Sequence, residues 1–156
     1  MSSVVIVASL EKEIKQKNFA NEQVKANLNV LYTANWIYNK ISSFLKPHNL
    51  THEQFNVLRI LRGSHPRSMC QKDILCRMIA PNSNVTLIIK KLKAKKLIEV
   101  FQSEEDKRAY VITITKDGLS ILKKMDKILQ EQTVNFNKLG DSEAFHLNAL
   151  LDKIRS

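Results

Sequence analysis

The chain of 156 residues has little of what marks secreted, membrane or catalytic proteins. Two cysteines, Cys70 and Cys76, are too few for a disulfide scaffold, and their spacing is not C-x-x-C. No apolar run approaches the roughly 18–20 residues that a membrane helix needs. The opening segment holds Val4–Ala8 with no basic residue before it. An export signal has a charged start and an apolar core of about 7–15 residues, so none is read and a reducing cytoplasm is the expected compartment. There is no Gly-rich phosphate loop, no G-x-S-x-G and no H-E-x-x-H, and no Ser/His/Asp set that spacing nominates. Enzyme chemistry therefore has no anchor, and the sequence calls for neither a cofactor nor a metal. With only 3 Gly and 3 Pro, helix breakers are rare, and each one present is informative.

Acidic residues are also scarce. Lys and Arg number 25 against 15 Asp and Glu, a formal charge of +10. The excess is greatest in residues 51–118, where 13 basic and 7 acidic side chains leave +6. Within that stretch Lys90, Lys91, Lys93, Lys95 and Lys96 fall together with no acid among them. Such a cluster suits a polyanion, nucleic acid above all, but a solvated lysine face has the same composition. Charge alone does not choose between them.

Periodicity divides the chain into helices with one interruption. Val24, Leu28, Leu31, Tyr38, Ile41 and Leu45 recur at helical spacing and predict an amphipathic helix from about Asn21 to Lys46, stopped by Pro47. A short helix over Leu10–Lys17 precedes it. Thr51 with Gln54 reads as a capping box, opening a helix whose buried face is Phe55, Leu58 and Leu61, until Gly63. Ser68 with Gln71 repeats that spacing and launches a short helix through Ile74, Leu75 and Met78 to Ile79. After Ala80-Pro81-Asn82, Ser83 caps a helix with Val85, Ile88, Ile89 and Leu92 on one side. The period then changes: Ile98–Gln102 and Ala109–Thr115 alternate and are rich in β-branched residues, which predicts a hairpin around the polar loop Ser103–Arg108. Helical spacing resumes with Leu119, Leu122, Met125 and Leu129, and again after Gly140 with Phe145, Leu147, Leu150, Leu151 and Ile154.

Three helices followed by a β-hairpin, the third helix basic, is the profile of a winged helix-turn-helix. A helix of this kind fits the B-DNA major groove, where base edges are distinguishable, and reads them with residues near its start. Those residues are Asn82, Ser83, Asn84, Thr86 and Leu87. Lys90 and Lys91, directed away from the apolar side, are candidate phosphate contacts; the other lysines of the cluster cannot all point the same way.

At this level of detail residues 51–118 resemble the MarR family of transcription regulators. The matching residues are Ser83-Asn84-Val85-Thr86, then Leu92, Ala94, Lys95 and Leu97-Ile98, the wing signature Asp106-Lys107-Arg108, and Val111–Thr115 followed by Lys116-Asp117-Gly118. The long flanking helices extend the likeness to about 21–154. The resemblance implies a homodimer on a pseudo-palindromic operator in double-stranded DNA, with helices from both chain ends in the interface and a wing in the minor groove. On this chain Arg108 would be the wing residue in that groove, Asp106 would hold it by a charge-assisted hydrogen bond, and Lys107 belongs to the same wing. Small aromatic or phenolic effectors are common in the family, and Tyr32 and Trp36, with Tyr38 and Phe44, are candidates to line such a pocket; dimer or domain packing is the alternative. Three departures stand out. Ala109 replaces a frequent second arginine, Lys96 stands where a glycine commonly precedes Leu97-Ile98, and apolar Leu87 occupies a position often polar, which suits contact with a thymine methyl.

The expected fold is mostly α with a small β-hairpin wing: a winged helix-turn-helix (50–118) flanked by N-terminal (1–49) and C-terminal (119–156) dimerisation helices. The expected function is a dimeric transcription regulator, a repressor by family habit, with no membrane partner. A winged-helix module for acidic proteins, or a nonspecific nucleic-acid binder, remains open at this point. Low aromatic content on the basic face disfavours base stacking on single strands. Cys76, beside Leu75 and Met78, is expected in the core, and Cys70 near a helix start, where a thiolate is favoured. His48, His52, His65 and His146 are expected on the surface; His48 and His52 lack a carboxylate or cysteine to complete a metal site.

Overall fold

A computed structural model of the chain describes residues 9–80, 84–103, 108–136 and 138–156, with the side chains of 132–136 left aside. The order is α1 (Leu10–Glu13), α2 (Glu22–Leu45), a single 3-10 turn (Lys46–His48), α3 (His52–Ser64), β1 (Met69–Cys70) and α4 (Gln71–Arg77). There follow α5 (Val85–Ala94), β2 (Ile98–Gln102), β3 (Tyr110–Ile114), α6 (Lys116–Phe136) and α7 (Asp141–Arg155). The fold is mostly helical, as expected. Two compact units divide the chain between His52 and Glu53. No helix among the described residues is long and apolar enough to cross a membrane.

In the first unit α2 begins where the Asn21 side chain accepts the Val24 N–H at 2.8 Å, which satisfies one of the orphan donors of the first turn. It ends at the 3-10 turn containing Pro47, and Asn49 closes that turn in the left-handed region at φ 53°. The expected stripe is present in the helix, but in this single chain only Leu45 of α2 is buried. Val24, Leu31 and Tyr38 are exposed. The Leu10–Lys17 helix shrinks to one turn, stopped by Lys15 at φ 54°.

The second unit holds the core. Phe55, Val57, Leu58 and Leu61 of α3, Ile74 of α4, Ile88, Ile89 and Leu92 of α5, and Leu122 and Met125 of α6 are all buried. The sheet is antiparallel in the order β1-β3-β2. In the hairpin Ile98 pairs with Ile114, Val100 with Ile112 and Gln102 with Tyr110, so Ile98, Ile112 and Ile114 share the buried face. Ser103 N–H bonded to the Ala109 carbonyl at 2.9 Å closes the base of the wing.

Four details differ from the sequence reading. Gly63 does not end α3, which continues to Ser64. Met69, read as the end of a loop over Gly63–Met69, and Cys70, read near a helix start, form a third strand by pairing with Ile112 and Val111. That strand places Cys70, not Ser68, at the cap of α4, where its Sγ accepts the Asp73 N–H at 3.4 Å. The helix then ends at Arg77 after only seven residues, with Ile74 and Met78 turned inward, and Cys76 is exposed rather than in the core.

Candidate nucleic-acid interface

The start of α5 is built by its own cap. Asn84 accepts the Leu87 N–H on its side-chain oxygen at 3.0 Å, so the cap is Asn84 and not Ser83. The Asn84 oxygen is thus engaged within the helix, and its amide N–H groups are the part left for an outside acceptor. Thr86 is also engaged: the Gln71 side-chain amide, first residue of α4, donates to the Thr86 hydroxyl oxygen at 2.8 Å. The Thr86 O–H is left to donate outward. The turn between the two helices is tied to α3, whose Asn56 accepts the Ile79 N–H at 3.0 Å.

Along α5 the helical period separates two faces. Val85, Ile88, Ile89 and Leu92 are buried, while Thr86, Leu87, Lys90, Lys91 and Lys93 are exposed. Thr86, Lys90 and Lys93 form one i, i+4, i+7 row, with Leu87 and Lys91 forming the row beside it. Leu87 is 45% exposed on that face, an apolar side chain available for an apolar partner. Lys95 does not join the row. Its ammonium donates to the Oε1 of Gln54 at 2.8 Å, and burial, with the nearby Lys91 charge, holds its pKa below the ordinary lysine value. Gln54 itself is buried in α3.

Lys96 occupies the position where resemblance led one to expect glycine, and it takes the backbone geometry that a glycine favours. It lies at φ 59°, with its N–H on the Lys93 carbonyl at 2.9 Å and the Leu97 N–H on the Leu92 carbonyl at 3.1 Å. That pair of bonds is a Schellman stop. Immediately across it, Thr115 donates its N–H to the Leu97 carbonyl at 3.1 Å and its hydroxyl to the Lys96 carbonyl at 2.8 Å. The same hydroxyl oxygen accepts the Gly118 N–H at 3.1 Å. Gly118, expected just before α6, stands in its first turn; a Cβ there would lie 2.3 Å from the Leu97 carbonyl oxygen.

On the wing, Arg108 is exposed at the foot of β3. Asp106 and Lys107, like Asn82 and Ser83, lie outside the described residues. Arg62 of α3 forks onto Asp126 of α6, with Nη1 on Oδ2 and Nη2 on Oδ1, joining these helices across the head.

In the first unit Tyr32 and Trp36 do share a cavity. It measures about 280 Å³ and is completed by Leu10, Glu13, Asn29 and Thr33. The Tyr32 hydroxyl donates to the Glu13 carboxylate at 2.7 Å, which pushes the phenol pKa up from its ordinary value. Tyr38 serves elsewhere: its ring stacks on His52 with centroids 3.8 Å apart. His52 is not a free surface histidine, since its Nε2 also lies 2.8 Å from the Tyr38 carbonyl and 3.0 Å from the Ser42 hydroxyl.

Comparison with known proteins agrees with this geometry. The MarR family model matches residues 50–110. The chain is 25% identical over 118 residues to the HTH-type transcriptional regulator SarZ of Staphylococcus haemolyticus, a match covering 76% of this chain and 79% of SarZ. Its fold is similar to that of BpsR of Bordetella bronchiseptica, whose DNA binding is regulated by 6-hydroxynicotinic acid. That likeness has a TM-score of 0.72 and 26% identity, over 90% of this chain and 98% of BpsR. The fold also matches MepR of S. aureus in its DNA complex, with a TM-score of 0.70 and 22% identity over 81% of this chain and 93% of MepR. Residues 50–110 thus match the MarR family, and SarZ, to which the chain is similar over three quarters of its length, is an HTH-type transcriptional regulator.

Proposed function

We propose that the protein is a cytoplasmic homodimeric repressor that binds a pseudo-palindromic operator and leaves it when a small aromatic effector binds. The observation that carries the reading is the outward face of α5. Thr86, Leu87, Lys90, Lys91 and Lys93 stand together on it without an acid, on a helix fixed at one end by Asn84 and at the other by Lys96. In the major groove Thr86 and Leu87 would face base edges, and the lysines would neutralise phosphates. Arg108 would enter the adjoining minor groove, where narrow A·T-rich segments concentrate negative potential.

The dimer is supported by apolar surface that a single chain leaves open. On α2 Leu31 is 67% exposed, and on α7 Phe145 is 71% and Leu150 60% exposed. Helices with uncovered apolar stripes at both chain ends suit burial against a second copy. Twofold symmetry then sets the half-sites about one helical turn, roughly 10 bp, apart. An effector that changes that spacing removes one head from its groove.

Fluorescence anisotropy against DNA from upstream of the protein's own gene and a scrambled duplex, at about 150 mM salt, tests the reading under physiological screening. A preference of roughly a thousandfold supports specific operator recognition. Equal, weak binding to both, repeated on fragments selected from the whole genome, overturns it in favour of a winged helix used for another partner.

A further inference from the structure

The cavity between α1 and α2 has a chemistry that narrows its ligand. Of its six lining residues Glu13 is the one charged side chain; among the described residues no Lys, Arg or His lines it. This is unusual in a chain with ten more basic than acidic residues. Tyr32 already donates to Glu13 Oε2, so the carboxylate acts as an acceptor and keeps further lone-pair sites for another donor. Thr33 reaches the Asn29 side-chain oxygen at 3.5 Å. The nearby cations are committed: Lys25 pairs with Glu11 at 2.5 Å, and Lys40 stands 5.7 Å from the centre of the Trp36 ring. Leu10, 6% exposed, gives the cavity an apolar floor.

We propose that this cavity binds a small aromatic cation of the arylalkylammonium class, with its ammonium on Glu13 and its ring against Trp36 and Leu10. An aromatic carboxylate of the same size would set its charge against Glu13 with no cation among the lining residues to offset it, so the site discriminates by charge as well as by shape. The inference rests on the proposed effector control for its regulatory meaning, but occupancy is measured without DNA.

Trp36 is the chain's single tryptophan, so its fluorescence reports on the cavity directly. The full-length protein is titrated with phenethylammonium and with hydrocinnamate, which has the same ring and chain length. The expected result is a saturable change with the ammonium and none with the carboxylate over the same range. Glu13→Gln should weaken ammonium binding about tenfold or more, the scale of a lost charged hydrogen bond. Tyr32→Phe, which keeps the carboxylate but removes its contact across to α2, should retain binding within a few fold. Equal response to both ligands, stronger binding of hydrocinnamate, or unchanged ammonium affinity in Glu13→Gln overturns the proposal. Parallel loss in Glu13→Gln and Tyr32→Phe also overturns it, since α1 docking alone would then explain the effect. Saturable, Glu13-dependent binding that leaves a DNA complex intact supports the cavity assignment and defeats effector release.

Discussion

The Gln71 amide lies 2.8 Å from the Thr86 hydroxyl, linking the first residue of α4 to the outward face of α5. With its oxygen accepting from Gln71, the Thr86 hydroxyl is oriented to donate, so the pair behaves as one unit toward a base acceptor. Gln71→Ala should relax discrimination at the base pair facing Thr86 by about fivefold, the usual net worth of one hydrogen bond. The melting temperature should scarcely move, because the bond is exposed. Anisotropy on single-base operator variants provides the check, and Gln71→Ala with Thr86→Val should cost less than the two single effects added. Full additivity would mean that the two side chains act separately.

Lysines next to one another on α5 should behave differently. Lys91→Ala should weaken binding to every DNA and reduce the salt dependence by somewhat under one unit, as expected for one phosphate contact. Lys95→Ala should leave that slope nearly unchanged and lower the melting temperature instead, since buried Gln54 loses its ammonium partner. Salt titrations and thermal melts of the two variants separate these roles.

The ionisation of Lys95 carries its own sign. Burial lowers its folded pKa below the unfolded 10.5, so between the two values the unfolded chain binds more protons. This group's contribution to stability therefore rises with pH across that window and levels off above 10.5. Wild type should gain stability relative to Lys95→Met as alkaline pH is approached, measured by urea unfolding on both proteins.

Lys96 pays for its left-handed backbone. Lys96→Gly should raise stability by about 1 kcal/mol, because glycine occupies that region without the Cβ clash. Lys96→Ala removes the charge while keeping the strain, and should show no such gain. Thermal melts of both variants distinguish backbone from charge.

Gly118 is the converse case. Gly118→Ala places a Cβ 2.3 Å from the Leu97 carbonyl and 2.7 Å from Ile114, backbone and core atoms that cannot easily give way. A loss of about 3 kcal/mol by urea denaturation is expected, at the upper end for overpacking.

Much of this was legible in the chain. The α2 and α5 helices follow from apolar spacing, and the hairpin follows from the change of period at Ile98. The strand at Met69–Cys70 was not, because two residues have no alternation to read and exist as a strand only through pairing with β3. The misplaced cap at Ser68 and the misjudged Cys76 both follow from that missing strand, which delays α4 and shortens it. The inward reach of Lys95 was also hidden: periodicity fixes where a Cβ points, not where four methylenes carry an ammonium. On α2 the pattern correctly signalled an apolar stripe, but a stripe does not say whether its cover comes from the same chain. Glu13, which sets the chemistry of the cavity, was missed because its partner Tyr32 is 19 residues away.

Thr115 gives the second unit a mechanical property. Through its N–H and hydroxyl it fastens the stop of α5, and through the same oxygen it fastens the first turn of α6. Gly118 closes the remaining gap against Leu97. Helix, strand and helix are thus joined at a stiff elbow with no slack residue between them. A twist applied to α6 would then be carried to α5 and the hairpin as to a single lever, and the outward face of α5 would turn with it without first being reshaped.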